Sequence, residues 1–137
     1  MNSKLIAYIS VLSIVSVIAS CSKGLFASLY PSLVITSPMQ AQNCASGATM
    51  HITGTATASA SDDAHLLHEL SLTVTKVSDG SQVWMSDISV HDDRSYTIDT
   101  SFVLPHPSVR DSFVLKAQVV NHLLNTASQK IGFTVNP

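Results

Sequence analysis

Charge is scarce in this chain. Asp, Glu, Lys and Arg make up only 12% of its 137 residues. Beyond Lys4 the cations are single and scattered: Lys23, Lys76, Arg94, Arg110, Lys116 and Lys130. Attraction to a phosphate backbone depends on clustered cations, so this distribution argues against nucleic acid as a partner. Catalytic signatures are missing too. There is no Gly-x-Ser-x-Gly elbow, no His-Glu-x-x-His, no phosphate-binding glycine loop and no dinucleotide fingerprint. His68-Glu69 does occur, but no second histidine follows at one-turn spacing and the segment continues in a strand pattern. A non-catalytic protein is expected. After the N-terminal segment no stretch has helical periodicity, which excludes an all-α or α/β class. Internal repeats, low-complexity tracts and a second domain are likewise absent.

What is present begins with an export segment. Met1-Asn2-Ser3-Lys4 is polar with one cation, and Leu5 to Ile18 is apolar, interrupted only by Ser10, Ser13 and Ser16. These are the first two regions of a signal peptide, shorter than the roughly 20 apolar residues of a comfortable membrane-spanning helix. An uncleaved anchor and ordinary secretory cleavage are the alternatives. Ile18-Ala19-Ser20-Cys21 resembles the lipobox of bacterial lipoproteins, in which a branched apolar residue and two small residues precede the cysteine. The resemblance implies a signal peptide over 1–20, a covalent lipid on Cys21, a short tether over 21–31 and attachment to a membrane of the bacterial cell envelope, the outer one where there are two. With Cys21 lipidated, the other cysteine of the chain, Cys44, cannot pair with it. Cys44 is then a buried inert thiol or, on the sharper reading, a reactive or metal-binding thiolate.

From residue 32 to 137 the chain has the size of one compact domain. Met50, Ile52, Gly54, Ala56 and Ala58 alternate with Thr49, His51, Thr53, Thr55 and Thr57, the period-two pattern of a half-buried strand. Leu70, Leu72 and Val74 continue that rule. Ser78-Asp79-Gly80-Ser81 then marks a turn and Gln82-Val83-Trp84-Met85 a returning hairpin arm. A polar segment over 86–94 follows. Tyr96, Ile98, Thr100, Phe102 and Leu104 define the next strand, Phe113, Leu115, Ala117 and Val119 another, and Ile131, Phe133 and Val135 the last. With Leu33 to Thr36 this gives an all-β fold, an antiparallel immunoglobulin-like sandwich of about seven strands.

The domain resembles small bacterial lipoproteins that carry a single immunoglobulin-like domain of unknown function. The resemblance runs from about Leu33 to the end. It rests on Ile35-Thr36-Ser37-Pro38, Ile52-Thr53-Gly54, Ser78-Asp79-Gly80, Tyr96-Thr97-Ile98-Asp99 and Val119 to Asn125. The last segment is similar to that group's Asp-His-x-Gly-Asn turn, with Asn121 in place of the aspartate and Leu124 in place of the glycine. This implies a lipid-anchored binding or interaction module that meets an envelope protein or glycan.

The loop histidines suggest an alternative. In ordinary sandwich order, the loops after the second, fourth and sixth of the seven strands emerge at one end. They carry His65 and His68, then His91, then His122, with Asp62, Asp63, Asp92 and Asp93 beside them. Imidazole nitrogens suit zinc or copper, so His65, His68, His91 and His122 form a candidate metal site with the four aspartates as further ligands. A calcium site on the aspartates alone is weaker, because no glutamate or Asp-x-Asp spacing supports it. His106 falls in a loop at the other end, and His51 faces outward from mid-strand.

Overall fold

The computed structural model describes residues 29–60 and 62–137. The signal segment and Cys21 lie outside the described residues. Eight strands form two sheets: β1 (Ser32–Ser37), β2 (Gln42–Ala45), β3 (Thr49–Thr57), β4 (Leu67–Lys76), β5 (Gln82–Ser89), β6 (Ser95–Val103), β7 (Asp111–Asn121) and β8 (Thr126–Asn136), with one 3-10 turn at Asp63–His65. One sheet has the order β1-β3-β6 and the other β2-β8-β7-β4-β5. Among the described residues no helix is long and apolar enough to cross a membrane.

The core follows from the alternation. Ile52 and Ala56 from β3, Leu70, Leu72 and Val74 from β4, Ile98 from β6, and Leu115, Ala117 and Val119 from β7 have no exposed surface. Burying a side chain such as Leu or Phe contributes about 1.5–3 kcal/mol. Phe113 and Phe133 stack with ring centres 5.7 Å apart. Trp84 of β5 stacks on Phe102 of β6 at 4.9 Å, closing the open side of the sandwich between the sheets.

Two elements differ from the sequence expectation. Among the described residues the strand count is eight rather than about seven, because Gln42–Ala45 adds an edge strand. Its pairing with Phe133 to Asn136 is parallel, so the sheets are not wholly antiparallel. This pairing uses backbone groups and asks nothing of side-chain alternation. The polar stretch expected over 86–94 also begins as strand: Ser86 to Ser89 complete β5, pairing with Leu72 to Glu69 of β4. In this part of the outer strand Asp87 and Ser89 are exposed, while Ile88 packs against the core and Val90 beyond it is fully buried.

Candidate metal centre

Three connections meet at one end of the sandwich. The β3–β4 loop donates through Ala58 N to Arg94 O of the β5–β6 turn (2.8 Å). At the start of β4, Leu67 N donates to Asp93 O (2.9 Å) while Leu67 O accepts from Asp92 N (3.0 Å). Leu66 O accepts from His122 N at 3.2 Å. Leu66 and Leu67 are both buried, so this two-residue segment lies between the other two turns and is held to each by backbone hydrogen bonds.

That scaffold brings His68, His91 and His122 together. One ligand nitrogen from each lies within 4.8 Å of the others. The ring centres are 5.1 Å apart for His68 and His91, 5.0 Å for His68 and His122, and 4.7 Å for His91 and His122. His68 belongs to β4 rather than to the loop. The β4–β7 register passes from the Leu67–Asn121 pair to the Glu69–Val120 pair, leaving His68 as the extra residue of a bulge. A bulge re-aims the side chain of the extra residue, here toward the tip.

The other residues singled out in the sequence are placed differently. His65 does not join the triplet. Its Nδ1 contacts the carboxylate of Asp62, which also caps the 3-10 turn by accepting from His65 N at 3.0 Å. This contact with His65 holds the Asp62 carboxyl below the usual carboxylate range. Asp63 opens that turn and is exposed. Asp93 is exposed, and its backbone N donates to Val90 O at 3.0 Å to close the β5–β6 turn. Asp92 alone of the four aspartates reaches the triplet: Oδ1 is 3.0 Å from His122 Nε2 and Oδ2 is 3.6 Å from His91 Nε2.

The β7–β8 turn explains how His122 is held. Asn121 is fully buried, the one buried polar or charged residue among the described residues. Its Oδ1 accepts from Leu123 N (3.1 Å) and Asn125 N (2.9 Å), satisfying the turn's inner donors. Its Nδ2 donates to Leu29 O at 3.1 Å, and Asn125 Nδ2 donates to the same carbonyl at 3.1 Å. Leu124 has φ +63°, the conformation that a glycine would adopt without strain. Sequence reasoning identified these as substituted turn positions but did not show that Asn121 ties the incoming chain to the turn.

His106 and Cys44 lie elsewhere. His106 packs against Gly47 between β2 and β3, in the loop after β6. Cys44 is half-buried against the core, and burial pushes its thiol up. His51 is exposed on β3.

Chemically, the tip offers three imidazoles, from the start of β4 and from the β5–β6 and β7–β8 turns, with the Asp92 carboxylate beside them. Neutral imidazoles are borderline nitrogen ligands suited to Zn²⁺ and Cu²⁺. His68 Nδ1 and His91 Nδ1 are 3.0 Å apart. Two nitrogens on a tetrahedral zinc at about 2.0–2.1 Å would be about 3.3–3.4 Å apart, so a few tenths of an ångström of side-chain movement accommodates the ion. Compared with known proteins, the chain matches no family model and no curated sequence.

Proposed function

We propose that this protein is a non-catalytic, divalent-metal-binding module of the cell envelope, taking zinc or copper at the tip formed by His68, His91 and His122. The observation that carries the reading is the convergence of three imidazoles from one strand and two turns far apart in the chain, each with a ligand nitrogen within 4.8 Å of the others. Three protein ligands leave one tetrahedral position for water or an incoming group. The test is native mass spectrometry with zinc and copper titration of untagged protein. One tightly held ion that disappears on joint replacement of His91 and His122 by Ala, with the fold retained, supports the reading. Absence of binding at micromolar metal refutes it.

The lipid anchor belongs to the same proposal and rests on the Ile18-Ala19-Ser20-Cys21 pattern. Leu29 O is fixed to Asn121 and Asn125, beside His122. The eight residue steps from Cys21 to Leu29 span at most about 29 Å when fully extended. A lipid on Cys21 therefore keeps the histidine end of the sandwich near the membrane surface. Cys21→Ser should move the protein from the membrane fraction to the soluble fraction, and unchanged fractionation as a processed lipoprotein would remove the anchor from the proposal.

A second reading, an interaction module for an envelope protein or glycan, is favoured by β5. This strand ends its sheet, and Val83 and Met85 are exposed on it. Binding of a partner that is indifferent to the three histidines and lost on changing Val83 and Met85 would select this reading.

A further inference from the structure

We propose that Asp92 is the positioning residue of the histidine site: its carboxylate holds His122 with the proton on Nε2, so that this ring presents Nδ1 to the metal. The inference rests on the metal-binding reading and extends it to the coordination mode.

Two observations carry it. The first is the contact pattern. One carboxylate faces Nε2 of two different histidines, at 3.0 Å for His122 and 3.6 Å for His91. His91 meanwhile turns Nδ1 toward His68 Nδ1. A neutral imidazole carries one N–H and one lone pair, and an ionised carboxylate can only accept. His122 Nε2, within hydrogen-bond distance, must therefore be the donor, which leaves its lone pair on Nδ1; His91 Nε2, at 3.6 Å, is an electrostatic neighbour of the carboxylate and not its hydrogen-bond partner. Carboxylates that accept the second N–H of ligating histidines fix the tautomer and ring orientation in this way. Asp92 does not itself complete a group with all three histidines, whose mutual cluster stands without it.

The second observation is the backbone. Asp92 has φ +66° and occupies the third position of the turn closed by Asp93 N and Val90 O. A positive φ at that position favours Gly or Asn. A carboxylate is held there at a conformational cost, in the place where it meets His122 and lies beside His91. Strain of this kind is a pointer to a role when the contacts supply one.

The test uses the full-length protein in detergent with ¹⁵N-labelled histidine, and zinc as the probe. Two variants separate the carboxylate from the turn: Asp92→Asn keeps the shape and tolerates positive φ, and Asp92→Gly removes the side chain while relaxing the backbone. In zinc-loaded wild type, ring ¹⁵N shifts should show His122 bound through Nδ1 with Nε2 protonated. Each variant should still bind one zinc ion but about 10–100-fold more weakly, and Asp92→Gly should lose this affinity while keeping or raising its melting temperature. Zinc bound through His122 Nε2, or both variants within twofold of wild type, overturns the inference and leaves the metal reading standing. No zinc bound by wild type overturns both.

Discussion

Gly54 lies in the middle of β3, opposite Ile35 of β1 and Ile98 of β6. Its backbone has an ordinary negative-φ conformation, so the need for glycine there is one of space. A Cβ at this position would lie 2.3 Å from Val34 O, 3.0 Å from Ile35 Cα and 3.1 Å from Ile35 Cδ1. Carbon and carbonyl oxygen normally approach to about 3.3 Å. Gly54→Ala therefore forces β1 to retreat by about 1 Å at this rung. β1 is not free to move, because Ile35 is 7% exposed in the core and its N donates to Gln129 Oε1 of the other sheet at 2.8 Å. Overpacking of this kind costs about 1–3 kcal/mol, and the reduced entropy of the unfolded chain returns about 0.4–1 kcal/mol. The net expectation is a loss of about 1–2 kcal/mol, a fall in melting temperature of roughly 5–10 °C for a domain of this size. Urea unfolding followed by fluorescence of Trp84, the single tryptophan, measures it. Gly132→Ala is the internal control: its Cβ would meet only the flexible end of Gln40 at 3.3 Å, so its cost should stay below about 0.5 kcal/mol. Equal stability of the two variants would refute the close-approach argument.

Other expectations test separate parts of the molecule. Phe113→Ala removes a ring that is 2% exposed and stacked on Phe133, and should cost about 3–5 kcal/mol in chemical denaturation; a loss below about 1 kcal/mol would place Phe113 outside the core. Leu124→Gly relieves φ +63° at a side chain that is 75% exposed, so it should leave thermal stability unchanged or raise it by up to about 1 kcal/mol, and a clear loss would mean that the exposed leucine contributes packing. Lys76 Nζ lies 3.0 Å from Asp111 Oδ2, which holds the Asp111 carboxyl below its ordinary value and raises the Lys76 ammonium above its own. The lowered carboxyl stabilises above its unfolded pKa and loses that effect as pH falls through the folded one, and the raised ammonium stabilises below its unfolded pKa and loses it as pH rises through the folded one. The advantage of wild type over Asp111→Asn should thus be flat between about pH 5 and 9 and shrink at both extremes, and an undiminished difference near pH 2 would contradict the pairing. Zinc at about a hundred times its dissociation constant should add about 2.7 kcal/mol, raising the melting temperature by roughly 10 °C. The shift should vanish when His91 and His122 are both Ala, and a shift that survives would locate the ion elsewhere.

The sequence was most informative where structure depends on neighbours along the chain. The alternation of Met50, Ile52, Gly54 and Ala56 with threonines and His51 is visible by inspection, because successive side chains of a strand point to opposite faces wherever that strand is placed. The same property exposed the inward faces of β4, β6, β7 and β8, and with them the all-β class and most of the core. Capping was also legible in principle: Asp62 stands three residues before His65, the spacing at which an N-cap carboxylate meets the backbone N–H of the turn it opens. That signal explains why His65 is engaged with Asp62 while His68, His91 and His122 meet. Tertiary structure decided the rest. β2 pairs with a strand about ninety residues away through backbone groups alone, so no local pattern marks it. His68 reaches the tip because a bulge shifts the β4–β7 register, and Asp92 faces two rings because its turn adopts a left-handed conformation at an aspartate. Periodicity and residue type are local properties that the chain carries by itself. The meeting of three imidazoles and one carboxylate depends on register, bulges and loop-to-loop hydrogen bonds between segments distant in sequence, and those are determined only when the two sheets close on their common core.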